Sequence, residues 1–545
     1  MNSITESLLA LGYFPKELPP CFSTEAFATW AKGAPAIAVP KAQTYLPVTH
    51  SLARVAGVRR TLSVPHPEAY LRLCKQLGDG WNEVTALLNQ SNLSRSKPTK
   101  GKDPERAFVP ELVPGDLARV RINNRRNRRY LLVADVAEFY RSIYTHSVPW
   151  VLHSKAVAKK RRRDDSLLGN RLDSSLMAGQ DGQTNGIPVG PDASLIIGEL
   201  VLSAIDAEMQ RRLGSEVQGF RYYDDYEFAF VRRGAAEDAL SHMQELLADY
   251  SLQLNPLKTR VLELPQRLET PWLTEFREFD FSRGTRASLQ RIIRYFDRAF
   301  EVHNEHRDSY VLAYAISRTE GEKWSKKTDW PVVQDLLLQA VAVEMSATQQ
   351  FVTALLVAQQ RGYRLAKAAI SDALNHVIRE SAPAGLASET TWALWGLLTL
   401  KLNVNKSAAE ALRQSQDVFV ALLALDAKSQ SMVSGVLETS QWESALSVEE
   451  LHGERWLLAY EAALRGWLGG PSPYQQHINK DPFFNALLAA KVSFYAPVTG
   501  VEVSKETIRR LKKRQAQSYS SAAQDDAEQE TSLAGEPEEY DPNRD

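Results

Sequence analysis

The spacing of apolar positions divides the chain in two. Up to about residue 285, short apolar runs alternate with helical segments. Tyr130-Leu-Leu-Val-Ala134 is one such run and ends on Asp135. Phe228-Ala-Phe-Val231 is another and follows the acidic pair Asp224-Asp225. Both have the length of buried strands, with carboxylates at or beside a strand end. Between them, Leu195, Ile196, Leu200, Val201, Ile205 and Met209 recur at helical spacing, which predicts an amphipathic helix from Ser194 to Leu213. Another helix is expected in Ala236 to Tyr250. Strand, helix, strand and helix in this order describe an α+β layer.

From about 286 to 500 the helical period takes over. Val333, Leu336, Leu337, Ala340 and Val341 follow it, as do Trp392, Trp395, Leu398 and Leu402. Val418 to Leu425 and Trp456 to Leu464 continue the pattern, separated by short polar breaks. The expectation is an all-α region of successive helices, stacked in pairs like a HEAT-type solenoid, although no repeat of fixed period is visible. A basic helix over Lys505 to Arg514 then gives way to a polar tail, expected to be disordered. The expected divisions are therefore 1–285, 286–500 and 501–545.

A length of 545 residues exceeds what one hydrophobic core usually supports, in agreement with that division. The formal net charge of -1 conceals segregation. Six arginines fall between Arg119 and Arg129, Lys159 to Arg163 reads KKRRR, and the last 25 residues carry nine acids against one Arg. Such clustering lets a near-neutral chain present a basic channel to nucleic acid. Cys21 and Cys74 alone make neither a disulfide framework nor a zinc motif, and they suggest a reducing, cytoplasmic setting. The N-terminal stretch lacks the pattern of a signal peptide, and no apolar run reaches 18 residues, so no membrane span or membrane partner is expected.

The candidate chemistry rests on Asp135, Asp224 and Asp225. A single Asp after a strand is ordinarily a turn or cap residue. Three carboxylates brought by two rigid strands could instead hold divalent cations, which prefer hard oxygen ligands. His146 and His153 flank Trp150, but no Cys or third His accompanies them, so no zinc site is expected. Glu138 near the carboxylates reads as a loop-orienting residue. His66, between two prolines, reads as part of a fixed loop.

Four motifs sharpen this. Tyr222-Tyr-Asp-Asp225 resembles the Tyr-x-Asp-Asp signature of reverse transcriptases. Asp135-Val-Ala-Glu-Phe-Tyr140 resembles their first palm motif, Gly186-Ile-Pro-Val-Gly-Pro191 their Gly-x-Pro-x-Gly loop, and Leu254-Asn-Pro-Leu-Lys-Thr259 the motif bearing a lysine near the leaving pyrophosphate. They fall in the family order over about 125 residues. Flanking stretches are similar to one branch, the bacterial abortive-infection and defence-associated reverse transcriptases. These are Asp135 to Trp150, Gln180 to Asp192, Gly12 to Pro20 and Ser63 to Pro67. The resemblance spans roughly residues 10 to 265.

The resemblance implies a fingers and palm domain followed by a helical domain. It also implies transfer of dNTPs with two Mg²⁺ ions, Mn²⁺ being an alternative. Asp135 and Asp224 would be the principal ligands, Asp225 a supporting carboxylate, and the Val136 carbonyl a further donor. Tyr140 would lie under the sugar and exclude a 2′-hydroxyl. Lys258 would neutralise or protonate the leaving group. Arg121, Arg125 and Arg128 fall where the fingers supply triphosphate contacts. Val189 and Gly190 would lie beside the incoming nucleotide. Val189 occupies the position where many template-copying relatives carry Gln, so its side chain offers packing and no hydrogen bond.

Relatives protect bacteria from phage by making DNA. Some are untemplated and primed from a protein hydroxyl; others copy an associated noncoding RNA. Both remain open here, the expected partners being dNTPs, a single-stranded DNA product, in the second case the RNA, and further copies of the chain in a trimer or hexamer. If protein primes synthesis, Tyr310, Tyr314, Tyr363, Tyr460, Tyr474, Tyr495, Tyr519 and Tyr540 supply hydroxyls, with nothing to choose among them. Two other readings compete: a catalytically idle nucleic-acid-binding or oligomeric scaffold, and an RNA-synthesising polymerase, which the Tyr140 position disfavours.

Overall fold

A computed structural model describes residues 1–34, 43–54, 58–101, 106–214, 217–282, 288–307, 309–320, 322, 327–469, 476–499, 504 and 507–512. The expected acidic tail, both ends of the Lys505 to Arg514 segment, Tyr474, Tyr519 and Tyr540 lie outside the described residues. Within them, no helix is long and apolar enough to cross a membrane.

The N-terminal part begins with α1 (Ser3–Ala10) and α2 (Glu25–Gly33), then the antiparallel hairpin β1 (Val48–Ala53) and β2 (Arg59–Val64). Helices α3 (Pro67–Asp79) and α4 (Trp81–Leu88) lead to a second hairpin, β3 (Pro98–Lys100) and β4 (Phe108–Pro110). After α5 (Leu117–Arg125) comes the central strand β5 (Tyr130–Asp135). Four helices follow: α6 (Phe139–Ser142), α7 (Ser147–His153), α8 (Lys155–Lys160) and α9 (Leu168–Ala178). The long α10 (Asp192–Leu213) precedes the hairpin β6 (Gln218–Tyr222) and β7 (Asp225–Phe230), then α11 (Arg233–Asp249) and β8 (Arg260–Glu263). Strands β6, β7, β5 and β8 form one antiparallel sheet in that order.

Pleat alternation gives that sheet two chemically different faces. Leu132 and Ala134 of β5, with Tyr226 and Phe228 of β7, are buried in the main core, which also takes Ile196, Leu200 and Ile205 of α10 and Met243 of α11. Asp135, Asp225 and Glu227 take the alternate positions. There α5 covers β6, burying Leu117 against Phe220 and Tyr222.

From α12 (Pro271–Glu278) onward every described element is helical. The series continues through α13 (Leu289–Glu305), α14 (Val311–Thr319), α15 (Trp330–Val343), α16 (Thr348–Gln360) and α17 (Lys367–Ser381). It runs on through α18 (Ala387–Leu400), α19 (Lys406–Leu412) and α20 (Val418–Ser429) to Trp456–Arg465. Even-numbered helices α14, α16, α18 and α20 pack in one row, and odd-numbered α13, α15, α17 and α19 in another. This two-row stack is the layered packing that the helical periodicity predicts. Its most deeply buried helices, α18 and α20, are apolar on nearly all sides.

The helical stack grips the N-terminal part. Phe22 pairs with Tyr495, Phe14 packs on Phe494 at 6.1 Å, and Trp392 donates its indole N–H to the Glu17 carbonyl at 2.9 Å. Hairpin β1–β2 packs on α18 and α20, tied by the bidentate Arg59–Glu389 pair and by His50 to Asp417 at 2.9 Å.

One polar network sits inside the core. Arg221 is fully buried and bonds bidentately to Glu199 at 2.8 and 3.0 Å, and to Asp206 at 2.8 Å. Burial alone would raise the Glu199 carboxyl, but Arg221 holds it below its ordinary value. Removing only the cation would leave two buried carboxylates without compensation. Arg221→Leu should therefore lower stability by about 3–5 kcal/mol. The triple variant with Glu199→Gln and Asp206→Asn should recover much of the loss, both read from urea unfolding midpoints.

Candidate active site

Asp135 closes β5 and Asp225 opens β7, and the antiparallel register sets them directly opposite each other. Asp224, the second of the two residues between the hairpin strands, lies in the β6–β7 turn and accepts the Val136 N–H through its carbonyl at 3.2 Å. Apolar strand sequences thus carry three carboxylates to one end of the two central strands.

The turn is held in an unusual conformation. Tyr223 has φ +54°, a left-handed value that a bulky residue adopts only when its surroundings enforce it. Arg221 donates to the Tyr223 carbonyl at 2.7 Å, and the Tyr223 N–H donates to Ser96 Oγ at 2.7 Å. Ser96 in turn donates to Glu199 at 2.6 Å. Both sides of this peptide are thereby anchored to the buried network. Sequence reading singled out neither Ser96 nor Arg221. Arg221 abuts the Tyr-x-Asp-Asp motif, the one signal that could have flagged it.

The electrostatics tie Asp224 to Asp135. Burial, followed by the neighbouring charge of Asp135, pushes Asp224 up to about 6, while Arg60 and Lys258 pull it down. Lys258 reaches Asp135 Oδ2 at 3.4 Å, from a loop fixed by the Asn255 N–H on the Asp135 carbonyl at 2.8 Å. Arg60 was missed by sequence reading, where it stands in an unremarkable Arg59-Arg60 pair. Alternation on β2 sends Arg59 to Glu389 and leaves Arg60 exposed on the other face.

Tyr140 packs beside this group. Its hydroxyl is pushed well above the ordinary value by burial, then by Tyr223 and Asp224. Gly198 of α10 makes room: a Cβ there would come within 2.9 Å of the Phe139 ring and 3.4 Å of the Tyr140 ring. The 186–191 loop meets the site through the Ile187 N–H on the Tyr140 carbonyl at 2.8 Å. The Val189 carbonyl accepts from the Ser63 N–H at 2.9 Å, tying the loop to β2. Gly190 has φ +125°, which requires glycine.

The three arginines expected at the triphosphate have other partners in the structure. Arg121 and Arg125 are engaged by the buried Glu227 at 3.0 and 2.9 Å, and by the carbonyls of Leu268, Gln266 and Arg267. Swinging them away would strand the Glu227 charge. Arg128 donates to the Asn127 carbonyl before β5 begins, so the strand's length, roughly 17 Å at 3.3 Å per residue, separates it from Asp135. Arg60 and Lys258 are the cations whose charge reaches Asp224.

Other candidates fall into place. Glu138 is exposed in a left-handed turn ahead of α6. His66 is buried and stacked on Tyr45 at 3.9 Å, a packing role. Tyr460 and Tyr495 are buried, with hydroxyls on the Val492 carbonyl and Asp426, and Tyr314 is buried too. Tyr310 and Tyr363 are half-buried, Tyr363 stacking on Trp330 at 5.4 Å.

Among the described residues, no three His, Cys, Asp or Glu converge as closely as a full protein ligand shell. The donor set still suits a magnesium-type cation, which binds through one or two carboxylates and completes its shell with water and phosphate. Arg60 and Lys258 offset the Asp224 charge beside Asp135 only in part, and such a cation would complete the neutralisation.

No curated protein matches the chain. Among solved structures, apo telomerase from Candida Tropicalis truncated from its C-terminal domain is 12% identical, covering 45% of this chain and 55% of that one, with a TM-score of 0.29. Apo telomerase from Candida Tropicalis is 9% identical over 74% and 70%, with a TM-score of 0.32. The same telomerase with the TWJ fragment of telomeric RNA is 11% identical over 73% and 66%, with a TM-score of 0.30. Overlaps this loose carry no argument about substrate. The family described as reverse transcriptase (RNA-dependent DNA polymerase) matches residues 81–295, a span that takes in Asp135, Tyr140, Asp224, Asp225 and Lys258. Residues 81–295, under half of the chain, therefore match the reverse transcriptase domain.

Proposed function

We propose that this protein is a DNA-synthesising polymerase used in bacterial antiphage defence, working in the cytoplasm and extending DNA without copying a long template. The observation that carries the polymerase reading is the cross-strand placement of Asp135 against Asp225, with Asp224 in the adjoining turn. Asp135 and Asp224 would hold two Mg²⁺ ions, or Mn²⁺, with Asp225 and the Val136 carbonyl in support. The cations would activate the attacking hydroxyl and steady the departing phosphates. Lys258 lies within reach of Asp135 and would neutralise the pyrophosphate. Arg60 would meet the triphosphate from the fingers hairpin, and Tyr140 would exclude the 2′-hydroxyl.

The untemplated reading is supported by Val189, whose side chain has no hydrogen bond to offer a base pair, and the defence role by the flanking motifs. A protein primer would come from Tyr310, Tyr363 or the segments outside the described residues, since Tyr314, Tyr460 and Tyr495 are buried. Copying of an associated noncoding RNA is the alternative. Sequencing the DNA that co-purifies with the protein separates them: covalently held, non-genomic DNA supports the first, and DNA complementary to a bound RNA supports the second.

The Asp224→Asn/Asp225→Asn variant should abolish deoxynucleotide incorporation and phage protection together. Retained protection would favour an idle scaffold. In metal-free protein Asp224 is charged above about pH 6 and takes up a proton below it. Stabilisation by Mg²⁺, read as a thermal shift, should therefore be largest above pH 7 and fade as the pH drops through about 6.

Tyr140→Ala should raise ribonucleotide use relative to deoxynucleotide use by about tenfold or more, read from kcat/KM ratios. Glu389→Ala removes the far anchor of β2 and should raise the dNTP KM through Arg60 while changing kcat little.

A further inference from the structure

Next to the carboxylates lies a surface that the polymerase reading does not use. Residues 140–145 run beside residues 184–187, joined by Ile187 N–H to the Tyr140 carbonyl, Gly186 N–H to the Ile143 carbonyl and Thr145 N–H to the Thr184 carbonyl, each 2.8 Å. Tyr144 therefore follows Tyr140 out of the site on the same ordered segment. Its ring centroid lies 4.8 Å from that of His146 and 5.6 Å from that of Trp150. All three rings are half-exposed. His146 is held by Asp173 at 2.6 Å, and the Lys155 ammonium sits 4.4 Å from the Trp150 ring centroid.

Helix α8 carries Lys155, Lys159 and Lys160, and Arg161, Arg162 and Arg163 follow in the turn after it. Arg161 is taken by Asp164. Lys159, Lys160, Arg162 and Arg163 are exposed, and among the described residues none pairs with a carboxylate. Lys155 and Lys159 stand four residues apart on this short helix, and their repulsion, added to that of the cations crowded after them, opposes stability. A polyanion would relieve that repulsion.

We propose that Tyr144, Trp150 and the exposed cations Lys159, Lys160, Arg162 and Arg163 form a binding surface for single-stranded nucleic acid, leading away from the active site. The two halves supply the two components such a surface needs: rings on which unpaired bases stack, and cations that track the backbone. Half-exposed rings discriminate against a duplex, whose base faces are already covered. The direction of the strand rests on the polymerase reading of Asp135 and Asp224; the binding itself does not.

The test uses full-length Asp224→Asn/Asp225→Asn protein, so that no turnover interferes and failed catalysis cannot be confused with failed binding. Fluorescein-labelled oligo-dT, oligo-U and a DNA duplex of equal length are titrated at several salt concentrations and read by anisotropy. Single strands should bind tighter than duplex; a preference for oligo-dT or oligo-U then tells product-like DNA from RNA. Exchanging Lys159, Lys160, Arg162 and Arg163 for Gln should weaken single-strand binding at least about tenfold and flatten the plot of log affinity against log salt by about 3. Trp150→Leu, which keeps an apolar side chain, should weaken it about tenfold without changing that slope. Unchanged affinity and slope in the four-Gln variant, with circular dichroism preserved, would overturn the proposal. So would equal binding of duplex and single strand, which would mark a general polyanion or protein-docking patch.

Discussion

Like charges must be held together for this site to exist. Asp135 and Asp225 face each other across β5 and β7, with Asp224 beside them, and their repulsion has to be offset elsewhere. The sheet does part of this through its register, since Leu132, Ala134, Tyr226 and Phe228 on the opposite face are buried together. A slip of one residue would turn that apolar set outward and separate the acids. The buried Arg221 does the rest. It binds Glu199 and Asp206 deep in the core while fixing the Tyr223 carbonyl, so the strained turn carrying Asp224 is anchored from below.

The same logic connects the two halves of the chain. Hairpin β1–β2 is short and two-stranded, and such hairpins are marginal alone. Here α18 and α20 support it through Arg59–Glu389 and His50–Asp417. Because neighbouring residues on a strand face opposite ways, anchoring Arg59 to the helical stack orients Arg60 toward the carboxylates. The helical array is thus a structural partner of the active site as well as an appendage to it.

Much of this was legible in the sequence. The runs ending at Asp135 and following Asp225 became β5 and β7, and the 3.6-residue period identified α10, α11, α15, α18 and α20. Local pattern and local structure agree there. The partner of the arginines of 119–129 was not legible, because a cluster of cations does not reveal it: Glu227, about 100 residues away, engages Arg121 and Arg125. Arg60 was hidden for the converse reason, its importance arising only when β2 folds over residues far along the chain. Ser96 and Glu199 likewise belong to a network assembled by tertiary contact, and no spacing rule announces it. The close approach of α10 to Tyr140 was equally invisible until Gly198 was seen against the ring.

Anomalous diffraction from crystals grown with Mn²⁺ and a deoxynucleoside triphosphate would examine the carboxylate pair most directly. Manganese peaks between Asp135 and Asp224, with the triphosphate reaching toward Lys258 and Arg60, are the expected result. Manganese bound elsewhere, or a nucleotide bound with no metal on these two carboxylates, would contradict it.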